Sequence, residues 1–363
     1  MRRDDLNRLA DELSAASADA PFAITITLPT HRHAPDNAQD PIRVRTLART
    51  AKAALDQLGL TREQRSQLDA QLDGLGDEVD AQVGFNHTDL GLGCYLVPGT
   101  TRIVRLGHNP PERVIVSDEF SLAAPIADVV AADDVDVLAL STGGGSTDGA
   151  RLYRLAAGEL VEHQDDVFPA SWDIRDRSSR FSEGRVDSPK RDAHIEGFLR
   201  SVDGHLLALF GNPHDRQLAV VGIERLRSHW RAVATSPNLA AVAAELDGNF
   251  DKTPVHELAA LVAAAVADAR EGDAAAQVAA LDDAPVSRVA GGTDDTYRLA
   301  STGRVATLLV EEGATDEIAV DGVVIGDRVA RTIRAAYDTG ADIVIAPAGT
   351  LTHRGGIAAL ARW

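Results

Sequence analysis

The chain has 363 residues, enough for two or three domains that each bury a hydrophobic core without a disulfide or metal staple. With 44% hydrophobic and 25% charged residues it has the composition of a soluble globular protein, and no apolar run reaches the ~20 residues of a membrane span. A net charge of −19 argues against bulk electrostatic coating of nucleic acid but leaves room for a local basic patch. The first residues lack the apolar stretch of a secretory signal, so we expect a cytoplasmic protein.

Cys94 is the single cysteine, which excludes an intramolecular disulfide framework and a multi-cysteine zinc site. Its apolar surroundings, Gly-Leu-Gly-Cys-Tyr-Leu-Val, predict a small buried hydrophobe rather than a nucleophile. Of the 36 basic residues, 33 are arginine, whose planar guanidinium suits phosphate recognition. A coding bias, which would also supply the many alanines, explains this excess equally well.

The first third of the chain predicts an amphipathic helix, with Leu6, Leu9 and Leu13 at helical spacing, and then a strand from Phe22 to Leu28. The polar stretch from Thr30 to Asp40 predicts a loop. Further elements follow in chain order: helices over 41–58 and 61–72, and strands near 79–86, 92–97, 101–106 and 114–116. The acidic stretch that ends at Asp133-Asp134 marks the first domain boundary, so the first domain covers residues 1–133.

The middle of the chain predicts a mixed α/β domain over residues 134–283. Strands are expected at 135–140, 151–155, 159–162 and 218–223, with helices from Asp192 and over 254–281. Between them lies a polar stretch at 171–191 with almost no periodicity, and loops of that length are usually functional or disordered. The last domain, residues 284–363, predicts a small α/β sandwich with strands at 305–310, 342–346 and 356–362 and a helix over 327–339.

Three sequence features look like ligand sites but have simpler interpretations. The glycine-rich stretch from Gly143 to Gly149 lacks a Gly-Lys-Ser/Thr ending and precedes a strand, so a hairpin turn is favoured over a phosphate loop. His31 and His33 lie near acidic residues, but without further ligands a solvated loop is favoured over a metal site. No Ser/His/Asp triad is evident from spacing. We therefore expect no cofactor and no metal.

Basic residues cluster in two places. The helix after Pro41 carries Arg45, Arg49 and Lys52 beside its apolar stripe, and Arg43 and Arg32 add to its amino-terminal side. The second cluster is the long polar loop, which also offers Trp172 and Phe181 for base stacking and carries these basic residues: Arg175, Arg177, Arg180, Arg185, Lys190 and Arg191. A solvated helix face and simple disorder are the alternative interpretations of the two clusters.

Several motifs resemble those of one translation-factor superfamily. The ending Gly355-Gly356-Ile357-Ala358-Ala359-Leu360-Ala361-Arg362-Trp363 is similar to that of archaeal peptide-chain release factors and Pelota. The segments Arg304–Glu312 and Thr339–Ile343 resemble strands of their third domain. Ile26-Thr27-Leu28-Pro29-Thr30-His31-Arg32 and Gln39-Asp40-Pro41-Ile42-Arg43 resemble motifs of the bacterial homologues. The chain is thus identified as similar to bacterial archaeo-eukaryotic release factor family 3.

This resemblance implies a three-domain, release-factor/Pelota-like α/β (α+β) architecture with a ribonuclease-H-like middle domain. It also implies that the loop after Thr30 belongs to the domain that enters the decoding centre. The family's Gly-Gly-Gln motif is absent from the sequence, and the equivalent stretch reads Ser178-Ser179-Arg180-Phe181-Ser182-Glu183-Gly184-Arg185. The Asn-Ile-Lys-Ser stop-codon motif is also missing. Peptide release by the family's mechanism is therefore not expected.

The leading functional hypothesis is a non-catalytic factor that binds the tRNA site of stalled, vacant or hibernating ribosomes. The two basic clusters would contact ribosomal RNA, and the resemblance implies a translational GTPase such as elongation factor Tu as partner. A monomer is expected. One rival is a peptidyl-tRNA or RNA hydrolase in which Asp136, Glu159 and Asp165 hold magnesium. Another is a stress-linked scaffold that no longer binds ribosomes.

Overall fold

The computed structural model describes residues 3–18, 20–31, 35–130, 135–141, 149–156, 158–171, 188–210, 217–320 and 323–363, with the backbone alone at 3, 57, 188–191, 320 and 323. It is a mixed α/β protein with several sheets, as predicted. Its contacts divide the chain into two compact units: residues 1–132 together with 273–363, and residues 133–272. Among the described residues no helix has both the length and the apolar character needed to cross a bilayer.

The amino-terminal part of the first unit is a four-stranded antiparallel sheet in the order β3-β2-β1-β4. Its elements are α1 (Arg3–Ser17), β1 (Ala23–Pro29), α2 (Asp40–Ala54), α3 (Arg62–Gln82), β2 (Gly91–Val97), β3 (Thr100–Leu106), β4 (Arg113–Ser117) and α4 (Ala123–Val130). On one face of β1, Ile24, Ile26 and Leu28 pack against the apolar stripes of α2 and α3. The alternation of the strand thus directs these residues towards the two helices.

The strand predicted near Val79–Asn86 is wrong, because α3 continues to Gln82. Thr61 caps the start of the helix as predicted, and its side chain and that of Gln64 form a capping box. Leu68, Leu72, Leu75 and Val79 then repeat at three- and four-residue spacing and are all buried against α2 and the sheet. This continuous stripe maintains the helix through Gly74 and Gly76, two residues that lower helix propensity.

The carboxy-terminal part of the first unit is a mixed sheet in the order β11-β16-β12-β15 with a separate β13–β14 hairpin. Its elements are β11 (Val289–Gly291), α9 (Thr293–Ser301), β12 (Val305–Glu311), β13 (Glu317–Val320), β14 (Val323–Asp327), α10 (Arg328–Asp338), β15 (Asp342–Ala346) and β16 (Ile357–Ala361). The predicted strands and the α10 helix are confirmed. Leu6 and Leu9 of α1 share one hydrophobic cluster with Leu308 of β12 and Ile333 of α10, so the two ends of the chain have a common core.

The second unit is built on a mixed sheet in the order β10-β9-β5-β6-β7, and β8 also pairs with β6. Its elements are β5 (Val135–Ser141), β6 (Gly149–Ala156), β7 (Glu159–His163), β8 (Ala170–Ser171), α5 (Ser188–Phe210), β9 (Gln217–Gly222), α6 (Glu224–Val233), α7 (Ser236–Ala240), β10 (Val242–Asp247) and the part of α8 (Val255–Asp283) that precedes residue 273. Leu138 and Leu140 of β5 pack with α5 and α6, whereas Val135 and Val137 pack with α8. Because side chains alternate along the strand, helices cover both faces of this sheet.

Candidate functional site

The two amino-terminal motifs meet at a buried carboxylate, that of Asp40. One oxygen, Oδ2, accepts the backbone N–H of His31 (2.8 Å), and Oδ1 is 3.0 Å from His31 Nδ1. Asp40 is fully buried, whereas the His31 ring is about half exposed. His31 belongs to the first motif and Asp40 to the second, so this side chain ties together the two ends of the loop between them.

Arg43 clamps the same loop base to the sheet. Its Nη1 donates to the carbonyl of Pro29 (2.9 Å), and its Nη2 donates to Glu112 (2.7 Å), which lies just before β4. Nη1 is also 3.5 Å from Asp40 Oδ1. The Arg43 guanidinium therefore contacts three groups of the folded chain. In the structure this predicted RNA-binding residue stabilises the base of the loop.

The other side of the loop base is held by hydrogen bonds to the segment before β2. The backbone N–H of Thr30 donates to Leu90 (2.9 Å), and its hydroxyl donates to Asp89 (2.9 Å). The hydroxyl of Thr88 donates to the carbonyl of His31 (3.2 Å). We call His31, Asp40, Arg43 and Thr30 the loop anchor. His31 thus contacts a carboxylate that stabilises the loop. His33, the other histidine considered as a metal ligand, lies outside the described residues.

Basic side chains further along α2 lie against acidic side chains of α3. Lys52 Nζ is 2.7 Å from Asp73 and 3.9 Å from Asp69. Arg45 is 3.7 Å from Asp77. The hydrogen bond that Lys52 donates to Asp73 is the main reason that the pKa of Lys52 lies above its ordinary value. The signal was present in the sequence, since Asp69, Asp73 and Asp77 recur every four residues and so lie on one helix face.

Arg49 differs from its neighbours on α2. It is exposed, and its Nη2 donates to the Thr46 hydroxyl (3.3 Å). No carboxylate lies within ion-pair distance of Arg49 in the described part of the chain. On α2 itself the only carboxylate is that of the buried Asp40. This face of α2 also exposes Ile42, a large apolar side chain.

The second predicted basic cluster is mostly outside the described residues. Arg175, Arg177, Arg180 and Arg185 belong to the 172–187 stretch, and Arg32 belongs to the 32–34 stretch, neither of which is described. Lys190 and Arg191 lie in α5, where only the backbone is described. The RNA-binding role of all these residues stays a prediction.

Two histidines share one carboxylate oxygen in the second unit. The Nε2 atoms of His163 and His205 lie 3.0 and 2.9 Å from Asp165 Oδ2, and Asp165 Oδ1 accepts the backbone N–H groups of Val167 and Phe168. These bonds, led by that from Phe168, hold the pKa of Asp165 well below its ordinary value. The carboxylate thus fixes the turn that follows β7 to helix α5.

The magnesium site of the hydrolase hypothesis gains no support from this geometry. Both oxygens of Asp165 are engaged by hydrogen-bond partners, and Asp136 is a nearly buried residue of β5 opposite Arg154 of β6. Among the described residues no group of three or more His, Cys, Asp or Glu side chains is arranged to hold a metal ion. The glycine-rich stretch is outside the description at 142–148, but its flanking strands β5 and β6 pair antiparallel, as a hairpin requires.

The carboxy-terminal Gly-Gly motif forms a tight turn that leads into β16. Gly355 and Gly356 both have positive φ, 72° and 77°. A Cβ on Gly356 would lie 3.3 Å from the Cβ of Ala314, and Glu311 of β12 donates its backbone N–H to the Gly356 carbonyl (2.9 Å). The motif is therefore required by backbone geometry at this turn.

Part of the chain is similar to a family of release-factor-like proteins. Residues 137–304 match the sequence model of bacterial archaeo-eukaryotic release factor family 3, which confirms the resemblance predicted from the sequence. No curated protein matches the chain significantly.

Solved structures with detectable similarity include three members of the release factor and Pelota group. The archaeal translation termination factor aRF1 is 16% identical, with 100% of this chain and 99% of that chain covered and a TM-score of 0.26. Archaeal Pelota, from a ribosome-bound model with ABCE1, is 13% identical with 99% and 94% covered and a TM-score of 0.42. Dom34 of S. cerevisiae is 12% identical with 74% and 75% covered and a TM-score of 0.43.

Proposed function

We propose that the protein is a non-catalytic, ribosome-associated factor of the cytoplasm that binds the tRNA site of stalled, vacant or hibernating ribosomes. The match of residues 137–304 to family 3 carries this proposal. The absence of Gly-Gly-Gln from the sequence supports a binding role in rescue or hibernation rather than peptide release.

The loop anchor gives the first unit a surface suited to that role. The buried Asp40 carboxylate and the Arg43 guanidinium hold the base of the loop in place. The conformational entropy of ordering this base is therefore lost on folding and not on binding a partner. The exposed face of α2 beside it presents Arg49 and Arg45 to solvent. Small-subunit RNA is the partner that these arginines fit, because guanidinium groups bind phosphates through paired donors.

The remaining partners follow from the family. We infer that a translational GTPase such as elongation factor Tu accompanies the protein to the ribosome, and that the protein acts as a monomer. The predicted loop residues Arg175, Arg177, Arg180, Arg185, Lys190 and Arg191 would contact large-subunit RNA.

Co-sedimentation with vacant 70S ribosomes over a salt series, with and without elongation factor Tu, tests the proposal. We expect saturable binding that falls as salt rises, because phosphate contacts release counterions. The triple variant Arg45→Ala, Arg49→Ala, Lys52→Ala should bind about tenfold more weakly at near-physiological salt. Its matched control replaces Arg8, Arg298 and Arg328, which are exposed and ion-paired elsewhere in the same unit.

The outcomes separate the parts of the proposal. Equal loss of binding in both triple variants would show that bulk charge, not the α2 surface, is responsible. Undiminished binding of the α2 variant would remove the first-unit assignment, and absence of the wild-type protein from ribosome pellets in every condition would overturn the function.

A further inference from the structure

Two rows of opposite charge run along neighbouring helices of the first unit. We call Arg45, Arg49 and Lys52 the cation row and Asp69, Asp73 and Asp77 the aspartate row. Lys52 meets Asp73 and Asp69 near one end, and Arg45 meets Asp77 near the other, so α2 and α3 run antiparallel with the rows side by side. The carboxylates repeat every four residues, about 6 Å along the helix axis.

A glycine of α3 creates the path by which Arg45 reaches its aspartate. A Cβ on Gly76 would lie only 3.3 Å from Arg45 Nε and 3.4 Å from its Cγ, so the side chain lies directly over this residue. Gly74, two residues earlier, has nothing within 4 Å of its Cβ position. Of these two glycines only Gly76 has a side chain packed over it, and that side chain is Arg45.

The contacts between the rows are exposed and therefore easily exchanged. The side chains of Arg45 and Asp77 are 62% and 89% exposed, and Asp73 is 67% exposed. Ion pairs between exposed side chains contribute little to the stability of a protein, because water and salt screen them. A phosphate that approaches the cation row meets carboxylates within a Debye length, and their repulsion opposes its binding.

We propose that the aspartate row is a built-in competitor of RNA phosphates for the cation row and weakens the affinity of this surface for RNA. The inference rests on the proposed function, since it concerns the regulation of that same surface. In the free protein the aspartates neutralise Arg45 and Lys52, and in the complex phosphates take their place. Glu112 lies at the amino-terminal end of α2, where it pairs with Arg43 of the loop anchor.

Removing the competitor tests the proposal. The double variant Asp73→Asn, Asp77→Asn keeps the shape of the surface and leaves the cation row intact. The control, Asp294→Asn and Asp295→Asn, changes the net charge by the same amount and also removes two exposed carboxylates with arginine partners in the same unit. Circular dichroism confirms that both variants are folded. Affinity is measured for vacant 70S ribosomes and, by fluorescence anisotropy, for a short single-stranded RNA.

We expect the Asp73→Asn, Asp77→Asn variant to bind ribosomes about fivefold more tightly than wild type at about 0.1 M salt, with the gain shrinking at about 0.5 M salt because the repulsion is screened. The control should bind within about twofold of wild type. Equal affinities of the two double variants would overturn this proposal while leaving the proposed function intact.

A protein that fails to bind ribosomes would overturn the proposed function instead. The RNA arm then decides this inference separately: tighter RNA binding by the Asp73→Asn, Asp77→Asn variant alone supports a competitor role on RNA in general. No difference from the control on RNA would overturn the competitor role as well.

Discussion

Asp40 is the residue on which the loop anchor depends. Its carboxylate is fully buried and accepts the His31 backbone N–H, which has this oxygen as its partner in the folded chain. Replacing Asp40 with alanine leaves a donor without a partner and opens a small space at the start of α2. Because a hydrogen bond to a charged group contributes about 1.5–3 kcal/mol, we expect Asp40→Ala to lower the free energy of unfolding by about 2 kcal/mol.

Urea unfolding followed by circular dichroism measures this change. The control is Asp36→Ala, an exposed carboxylate of the short 3-10 helix over Asp36–Gln39. We expect less than about 0.5 kcal/mol for the control, as is typical of surface substitutions. A loss at Asp40 no larger than that at Asp36 would show that the anchor does not stabilise the fold.

Cys94 reports on the core of the first unit. It lies in β2 with no exposed surface, and burial raises the pKa of its thiol to about 12. Because the thiolate is the reactive form, we expect no reaction with an aromatic disulfide reagent in native protein at about pH 8. Full reaction should follow in guanidinium chloride. Rapid stoichiometric labelling of the native protein would contradict the burial of this residue.

At the scale of elements, helix α3 offers a matched pair of glycines. Alanine is favoured over glycine in a helix interior by about 1 kcal/mol. Gly74→Ala has free space for its methyl group, so it should raise the free energy of unfolding by about 0.5–1 kcal/mol. Gly76→Ala should gain less, because its Cβ would press on the Arg45 side chain.

Chemical denaturation of the two variants side by side measures the difference. Since Arg45 is long and exposed, it can move, and the expected result at Gly76 is a smaller gain rather than a loss of the fold. Equal stabilisation by the two substitutions would show that Arg45 does not need the space above Gly76.

At the scale of the whole molecule, the first unit joins the two ends of the chain. Leu308 of β12 and Leu6 of α1 lie in one hydrophobic cluster, although about 300 residues separate them in the sequence. A buried leucine replaced by alanine costs about 2–5 kcal/mol. We therefore expect Leu308→Ala to lower the urea concentration at which Cys94 becomes reactive, although Cys94 is in the amino-terminal sheet.

Leu138→Ala is the control, because Leu138 is equally buried but belongs to the second unit. It should change the labelling midpoint of Cys94 less than Leu308→Ala does. If the two variants shift this midpoint equally, or if Leu308→Ala leaves it unchanged, the two ends of the chain do not unfold as one cooperative unit.

The sequence by itself determined most of the elements, the burial of Cys94 and the resemblance to family 3. Helical and alternating spacing are local properties, so β1, α2, β5, β12 and α10 could be placed from neighbouring residues alone. The sequence also placed Asp40 and Gly356 in recognisable motifs, but it did not show which structural contacts require these two residues. Those contacts are with His31 and with Ala314, which the chain brings close only when folded.

Only the tertiary structure decided which faces meet. The stripe of α3 continues past two glycines because the sheet and α2 bury it, which local propensity does not register. The Arg43 clamp and the pairing of the cation row with the aspartate row depend on how α2 lies against β1 and α3. The common core of the first and last thirds depends on contacts between distant segments. Periodicity shows that a face is apolar or charged, but the partner of that face is chosen by the packing of the whole chain.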